Sequence, residues 1–225
     1  MGTVEQELLA AQNKAAALFD EVVARGLIKP GVYESELSQQ IHALAKSNYG
    51  VKRHWHERIV RAGPNTLLDY SMKSPDRQIM ADDTVFLDFG PVFDGWEADY
   101  ARTYVVGNDP RKHQLVADLK STFMKGKQLF RDTPTLTSGE LYDYVFNLGL
   151  QAGWQFGADS AGHLVGHFPH EPDRETPSRL QINHGNTISL REPDAQGATR
   201  HWILEVHFVD RVNNFGVFVE ELLTV

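Results

Sequence analysis

An α+β fold is the class this sequence predicts, and three observations carry the prediction. Helix-period and strand-period segments are mixed along the chain rather than strictly alternating, which disfavours a doubly wound parallel sheet. The clearest β signal is an antiparallel hairpin centred on Asp94-Gly95, a dipeptide suited to tight two-residue turns. The chain then closes on two more strands joined through Asn213-Asn214.

The elements follow in order. Over residues 4–25, Leu8, Leu9, Ala15, Leu18, Phe19, Val22 and Val23 recur at helical spacing, and Gly26 stops the helix. Pro30-Gly31 marks a turn. Leu37, Ile41, Leu44 and Ala45 predict a second helix from Ser35 to about Asn48. Residues 51–63 read as a strand entering a loop at Gly63-Pro64-Asn65. The hairpin strands run from Val85 to Val92 and from Ala98 to Val106. Asp109-Pro110 opens a helix over residues 111–131, and Ser138, as N-cap, opens another that ends near Ala152 before Gly153. Residues 161–171 form a short histidine-rich strand or loop. Residues 172–200 form a loop region around a strand near Ile188, and the closing strands cover 201–210 and 216–224. No repeat, low-complexity tract or flexible linker interrupts the pattern, so one domain over residues 1–225 is expected.

Composition bounds the function. Hydrophobic residues make up 41% and charged residues 23%, the balance of an ordinary globular protein. The net charge of −8, with no Lys/Arg-rich run, argues against nucleic acid as a partner. The absence of cysteine removes disulfides, thiolate metal sites and cysteine nucleophiles together. No apolar run is long enough to span a membrane, and the first residues lack the order of a signal peptide. A cytoplasmic protein is the expectation.

The chemistry-bearing residues lie on apolar strands. A two-residue turn at Asp94-Gly95 sets Asp88 opposite Ala101 and Asp99 opposite Gly90. The two aspartates then share a face as diagonal neighbours, roughly 7–8 Å apart at Cα. Asp88 sits within Val85-Phe86-Leu87-Asp88-Phe89, where an isolated carboxylate is costly unless paired, protonated or bound to metal. Three of the ten histidines, His163, His167 and His170, fall within eight residues, and imidazole is both a common metal ligand and a proton carrier. Glu205 shares a strand face with Ile203 and His207, and Glu220 with Phe218 and Leu222. Four carboxylates and an imidazole on such strands make a donor set for two divalent ions.

The ordered set Asp88, Asp99, His163, Glu205 and Glu220 resembles the pita-bread metallopeptidases: methionine aminopeptidase, aminopeptidase P, prolidase and the related creatinase. The aspartates stand eleven residues apart in Leu87-Asp88-Phe89-Gly90 through Asp99. Gly162-His163-x-x-Gly166 is followed by His170-Glu171, and the last glutamate lies in Val217-x-Val219-Glu220-x-x-Leu223. The hairpin Phe89-Gly90-Pro91-Val92-Phe93-Asp94-Gly95 is most similar to the aminopeptidase P and prolidase branch. The resemblance implies a single pita-bread catalytic domain of curved antiparallel sheet and flanking helices, without the N-terminal domain its relatives usually carry. It implies two divalent ions, manganese first, with cobalt, iron or zinc as alternatives, and a homodimer is a fair expectation.

The roles it implies are specific. Asp88, Asp99, His163, Glu205 and Glu220 would be the metal ligands, with Asp99 and Glu220 bridging. Glu205 would move the proton of the bridging hydroxide, and His170 would hydrogen-bond the developing oxyanion or the substrate backbone. The substrate would be a short peptide, with an Xaa-Pro bond as the leading option. A non-peptide C–N hydrolase of creatinase type and a non-catalytic binding protein are the alternatives. Three departures bear on the substrate. Asp69 stands where relatives have a histidine, Val206-His207 replaces Pro-Gly after the first glutamate, and Phe218 replaces an arginine. His54, His56 or His207 are then the imidazoles that could replace the missing one. His56, Asp69, His207 and Phe168 are the expected substrate-binding residues, with Trp96 and Tyr100 as further candidate pocket walls.

Overall fold

The computed structural model describes residues 2–70, 72–166 and 180–224. Its elements run α1 (Val4–Ala24), α2 (Glu34–Tyr49), β1 (Ile59–Ala62), a 3-10 turn (Gly63–Leu67), β2 (Thr84–Phe89), β3 (Val92–Phe93), β4 (Trp96–Glu97), β5 (Tyr100–Val105), α3 (Pro110–Asp132), α4 (Ser138–Gln151), β6 (Gln155–Phe156), β7 (Ser160–Val165), β8 (Gln181–Asn183), β9 (His201–Asp210) and β10 (Phe215–Leu222). The mixture of helices with one large antiparallel sheet is the α+β class expected.

Local signals account for most boundaries. Thr3 caps α1 through a capping box with Gln6, and Gly50 ends α2 in the left-handed conformation. Asp109 caps α3, and Pro110 starts it. The cap of α4 is Thr137, not Ser138. Thr137 accepts from the Glu140 backbone amide, and Glu140 reaches back to close the box, while Ser138 Oγ donates to the Gln181 carbonyl. No strand forms at Ile188. The strand of that region is β8, and the segment after it is held by the isolated bridge of Ser189 with Thr137, by backbone bonds of Ile188 and Leu190 to Ser138 and Leu136, and by burial of Leu190.

Eight strands make one sheet in the order β1-β2-β5-β10-β9-β7-β8, with β6 also paired to β9, and every recorded pairing is antiparallel. The ten-residue β9 serves two neighbours on one edge. Val209 and Phe208 pair with β6, and Trp202 and His201 with β7. The hairpin register is the one the turn demands, Asp88 opposite Ala101 and Val92 opposite Glu97, and Asp94 and Gly95 both hold positive φ.

The helices cover one face. Leu18, Phe19, Leu37 and Ile41 pack with Val85, Leu87 and Phe89 in one apolar cluster. Leu115, Leu119, Phe123, Leu141 and Val145 pack with Leu204, Val206, Val217 and Val219 in another. By strand alternation the residues between these, Asp88, Glu205 and Glu220 among them, point to the other face. No described helix is long and apolar enough to cross a membrane.

Two tight places hold that second face in shape. Gly162 has φ +139°, and a Cβ there would lie 2.0 Å from the Ile203 carbonyl oxygen, so only glycine lets β7 press against β9. On the other side, His207 reaches from β9 to the 3-10 turn, its Nε2 donating to the Thr66 carbonyl at 2.8 Å. Thr66 Oγ1 accepts from the Gly216 amide at 2.7 Å. Burial pushes the His207 imidazole down to about 4.

Two outcomes follow. Gly162→Ala should destabilise the protein by about 1–3 kcal/mol, the usual cost of a strained backbone position, read as a lower denaturant midpoint. Because the His207 pKa is depressed from 6.5 to about 4 on folding, its neutral form is favoured in the folded state. Its contribution is fully present above pH 6.5 and lost as pH falls toward 4. The difference in melting temperature between wild type and His207→Gln should therefore shrink across that window. A pH-independent difference contradicts the buried, neutral assignment.

Candidate metal centre

The centre grows from one line of register. Asp88 on β2 pairs with Ala101 on β5, Ala101 pairs with Glu220 on β10, and Glu220 pairs with Glu205 on β9. Three carboxylates thus stand in one row across four adjacent strands, with Ala101 leaving room between them. Asp99, two residues before Ala101 on the same face, adds a fourth. Asp88, Asp99 and Glu220 are buried, at 6%, 3% and 3% exposure. A buried carboxylate row without compensating positive charge would be strongly destabilising.

Two imidazoles meet the row from opposite sides. His163 on β7 has Nδ1 2.8 Å from the Leu164 carbonyl, which directs Nε2 inward. That Nε2 lies 3.0 Å from Asp99 Oδ2 and 3.7 Å from Glu220 Oε1. His56 arrives from the segment before β1, with Nδ1 2.7 Å from the Glu57 carbonyl. Its Nε2 lies 3.3 Å from Asp99 Oδ1 and 3.6 Å from Asp88 Oδ1. Two sets of donors result, His56-Asp88-Asp99 and Asp99-His163-Glu220, each with its donor atoms within 4.8 Å of one another. Glu205 adjoins the second set, and its Oε1 accepts from Ser160 Oγ at 3.0 Å.

The electrostatics show how much positive charge this cluster demands. Burial, then the nearby Asp99 and Glu205, push Asp88 up to about 7 against the pull of His56. Burial, then Asp99 and Asp88, raise Glu220 well above the ordinary carboxylate range, and burial with Asp99 raises Glu205. Asp99 goes the other way. Burial would raise it, but His163 and His56 at its two oxygens hold it below that range. His56 is pushed up to about 9, burial opposing and Asp88 and Asp99 prevailing, and His163 is raised well above its usual value by Asp99 and Glu220. Protein groups alone balance the cluster only by holding extra protons. Asp88 Oδ1, Asp99 Oδ1 and His56 Nε2 are buried without a hydrogen bond. Convergent oxygen and imidazole donors with unsatisfied lone pairs fit divalent cations.

A cavity of about 340 Å³ opens over the row. Trp55, His56, Asp69, Tyr70, Ser160, Gln181 and Phe218 line it together with the carboxylates. A smaller adjoining space of about 90 Å³ is lined by Arg61, Phe86, Asp69 and His207. Of the residues expected at the substrate, His56, Asp69 and His207 therefore do face these spaces. His56 is within reach of the carboxylates themselves, and His207 is already bonded to Thr66. Phe168 and His170 lie outside the described residues. Trp96 and Tyr100 are not among the cavity-lining residues. Tyr100 is buried in the apolar cluster with Phe19, and Trp96 packs against the clusters around α1.

Phe218, expected to bear on the substrate, lines the cavity, and the walls that sequence reasoning missed are Trp55, Tyr70, Ser160 and Arg61. Arg61 is 4% exposed. Its guanidinium donates to the carbonyls of Leu68, Tyr70 and Met72, so it holds the loop that carries Asp69 and Tyr70. A charged residue amid the apolar run Ile59-Val60-Arg61-Ala62 was the available signal for it. Phe86, Phe218 and His207 form an aromatic group beside the row, with ring centroids 5.5–6.2 Å apart.

Comparison with known proteins agrees with this geometry. The Xaa-Pro dipeptidase of Pyrococcus horikoshii is 27% identical over 162 residues, covering 71% of this chain and 45% of that protein. The Xaa-Pro dipeptidase of Lactobacillus helveticus is 26% identical over 166 residues, covering 73% and 43%. The chain thus spans less than half the length of these curated relatives. Among solved structures, the Xaa-Pro dipeptidase from Bacillus anthracis superposes with a TM-score of 0.79 at 22% identity, over 100% of this chain and 61% of that one. The X-Pro aminopeptidase from Thermotoga maritima does so with 0.79 at 19%, over 99% and 61%. These place the fold as the pita-bread type. Residues 6–225 match the model of metallopeptidase family M24, and the chain belongs to that family.

Proposed function

We propose that this chain is a metal-dependent peptidase that cleaves short peptides at an Xaa-Pro bond, with residues 1–225 acting as one catalytic domain. The observation that carries the proposal is the pair of donor sets sharing Asp99, one oxygen toward each. Membership of family M24 and the names of the relatives, Xaa-Pro dipeptidases, support the substrate class.

Asp88, Asp99, His163, Glu205 and Glu220 would hold two divalent ions, Asp99 belonging to both donor sets. Once bound, the ions supply Lewis acidity toward the scissile carbonyl and an attacking water that is acidic near neutral pH. The protein does the rest. Glu205, fixed by Ser160, takes the proton of the attacking water and returns it to the leaving nitrogen. Trp55, Tyr70 and Phe218 offer flat apolar walls to a proline ring and exclude water from the scissile bond. Asp69, which lines the cavity, would meet the peptide's free ammonium. His170, seven residues after His163 in the sequence, would hydrogen-bond the developing oxyanion. Oxygen-rich donor sets of this kind accept Mn²⁺, Co²⁺, Fe²⁺ or Zn²⁺, and Mn²⁺ is the first to supply.

The altered residues around the metal donors, Asp69, His207 and Phe218, favour keeping one second reading, a small non-peptide C–N substrate of creatinase type. Assays of Mn²⁺- and Co²⁺-loaded protein on Xaa-Pro dipeptides, Xaa-Ala dipeptides and small guanidino amides separate the two. The expected result is metal-dependent cleavage of Xaa-Pro substrates. Asp99→Ala should lose both metal and turnover while keeping its circular dichroism. Glu205→Gln should lose about 10²–10⁴-fold in rate, the usual contribution of a general acid–base. Cleavage of guanidino amides alone would replace the peptidase reading with the second one. Full metal loading and turnover in Asp99→Ala would overturn both.

A further inference from the structure

We infer that His56 is a metal ligand, the imidazole of the ion that Asp88 and Asp99 hold, so that each of the two cations carries one histidine. The inference rests on the two-cation reading above and extends it to a residue outside the five-residue set.

The two imidazoles are arranged alike. Each has Nδ1 within hydrogen-bonding distance of a backbone carbonyl next in sequence, Glu57 for His56 and Leu164 for His163. A carbonyl can only accept, so Nδ1 carries the proton and the Nε2 lone pair faces inward, the orientation that metal-binding histidines use. The two Nε2 atoms face opposite oxygens of the same carboxylate, His56 toward Asp99 Oδ1 at 3.3 Å and His163 toward Asp99 Oδ2 at 3.0 Å. On its own side His56 also lies 3.6 Å from Asp88 Oδ1. Metal–ligand bonds of about 2.1 Å at tetrahedral or octahedral angles put neighbouring donors about 3.0–3.4 Å apart. His56 Nε2, 3.3 Å from Asp99 Oδ1 and 3.6 Å from Asp88 Oδ1, is close to that spacing. These three facing atoms are buried and without a hydrogen bond. Three such donor atoms converging on one point repel one another unless a proton or a cation lies between them, and only a cation is shared by all three.

The placement of His56 is built into the fold. Its side chain is only 6% exposed. The preceding segment is tied down as an extra edge to the hairpin. The Trp55 amide donates to the Gly90 carbonyl at 2.9 Å, the Val92 amide to the Arg53 carbonyl at 3.1 Å, and Trp55 Nε1 to the Ala98 carbonyl at 3.0 Å. The Trp55 ring meets both imidazoles edge to face, at 4.4 Å from His56 and 5.7 Å from His163. Gly90 makes the room. A Cβ there would fall 2.2 Å from His56 Cδ2 and 2.6 Å from its Nε2, so the ring occupies the space that any other side chain at this position would take.

X-ray absorption at the cobalt edge tests the assignment on protein reconstituted with Co²⁺, with the metal bound per chain measured in parallel. The expected result for wild type is two cobalt ions and an imidazole scattering signal averaging one histidine per cobalt. His56→Ala should halve that signal and weaken the binding of one ion by 10-fold or more. A wild-type signal of half a histidine per cobalt overturns the inference, and this reading needs no variant. Two ions with an unchanged imidazole signal in His56→Ala likewise overturn it while leaving the two-cation centre standing. No cobalt bound to wild type overturns both the inference and the reading beneath it.

Discussion

Everything in this molecule is arranged around the burial of like charge. Asp88, Glu220 and Glu205 occupy one register line across four central strands, with Asp99 beside it. Carboxylates at the middle of a sheet repel one another and lose their hydration, so the fold must supply positive charge at that point. The imidazoles of His56 and His163 are the protein's own contribution, and divalent cations would be the stronger one. That demand explains the direction of the titration shifts, with Asp88, Glu205 and Glu220 raised and Asp99, between the two histidines, lowered.

The architecture follows from holding such a row rigidly. A carboxylate on a strand flanked by paired strands has few ways to turn aside, whereas one on a loop has many. Helices α1 to α4 pack on the opposite face through Leu87, Phe89, Leu204, Val206 and Val217. The side chains alternate between that apolar packing and the donor face. Gly162 brings β7 close enough for His163 to reach Asp99. His207 and Thr66 brace the 3-10 turn against β9 and β10, and Arg61 holds the loop bearing Asp69 and Tyr70 over the cavity. Family M24 membership and the likeness to Xaa-Pro dipeptidase folds fit a scaffold of this kind.

How much was legible in the sequence depended on how local the cause was. The Asp94-Gly95 turn dictates register, so the pairing of Asp88 with Ala101 could be read directly, and it is observed. The alternation around Glu205 and Glu220 put each on a strand face with large apolar neighbours, Ile203 for one and Phe218 and Leu222 for the other; that the helices pack on the opposite face, against Leu204, Val206, Val217 and Val219, is visible only in the structure. The α4 cap shifted to Thr137 because Ser138 is engaged by Gln181, a contact far along the chain. The strand expected near Ile188 lies instead at Gln181–Asn183, where β7 offers an edge to pair with. Trp96 and Tyr100 were candidate pocket walls by proximity in sequence, yet they serve the core. Trp55, Tyr70 and Phe218 take that place because of how β1, its neighbouring loops and β10 come together. The convergence of His56 on Asp88 and Asp99 is of the same long-range kind, since it depends on Gly90 leaving space for the ring.

The central claim is that Asp99 stands between two cations. Anomalous diffraction from crystals of the Mn²⁺-loaded protein tests it most directly. The account predicts two anomalous peaks, one on each side of Asp99, with Asp88 at the first and His163 at the second. A single peak, or strong manganese peaks away from the carboxylate row, would contradict it.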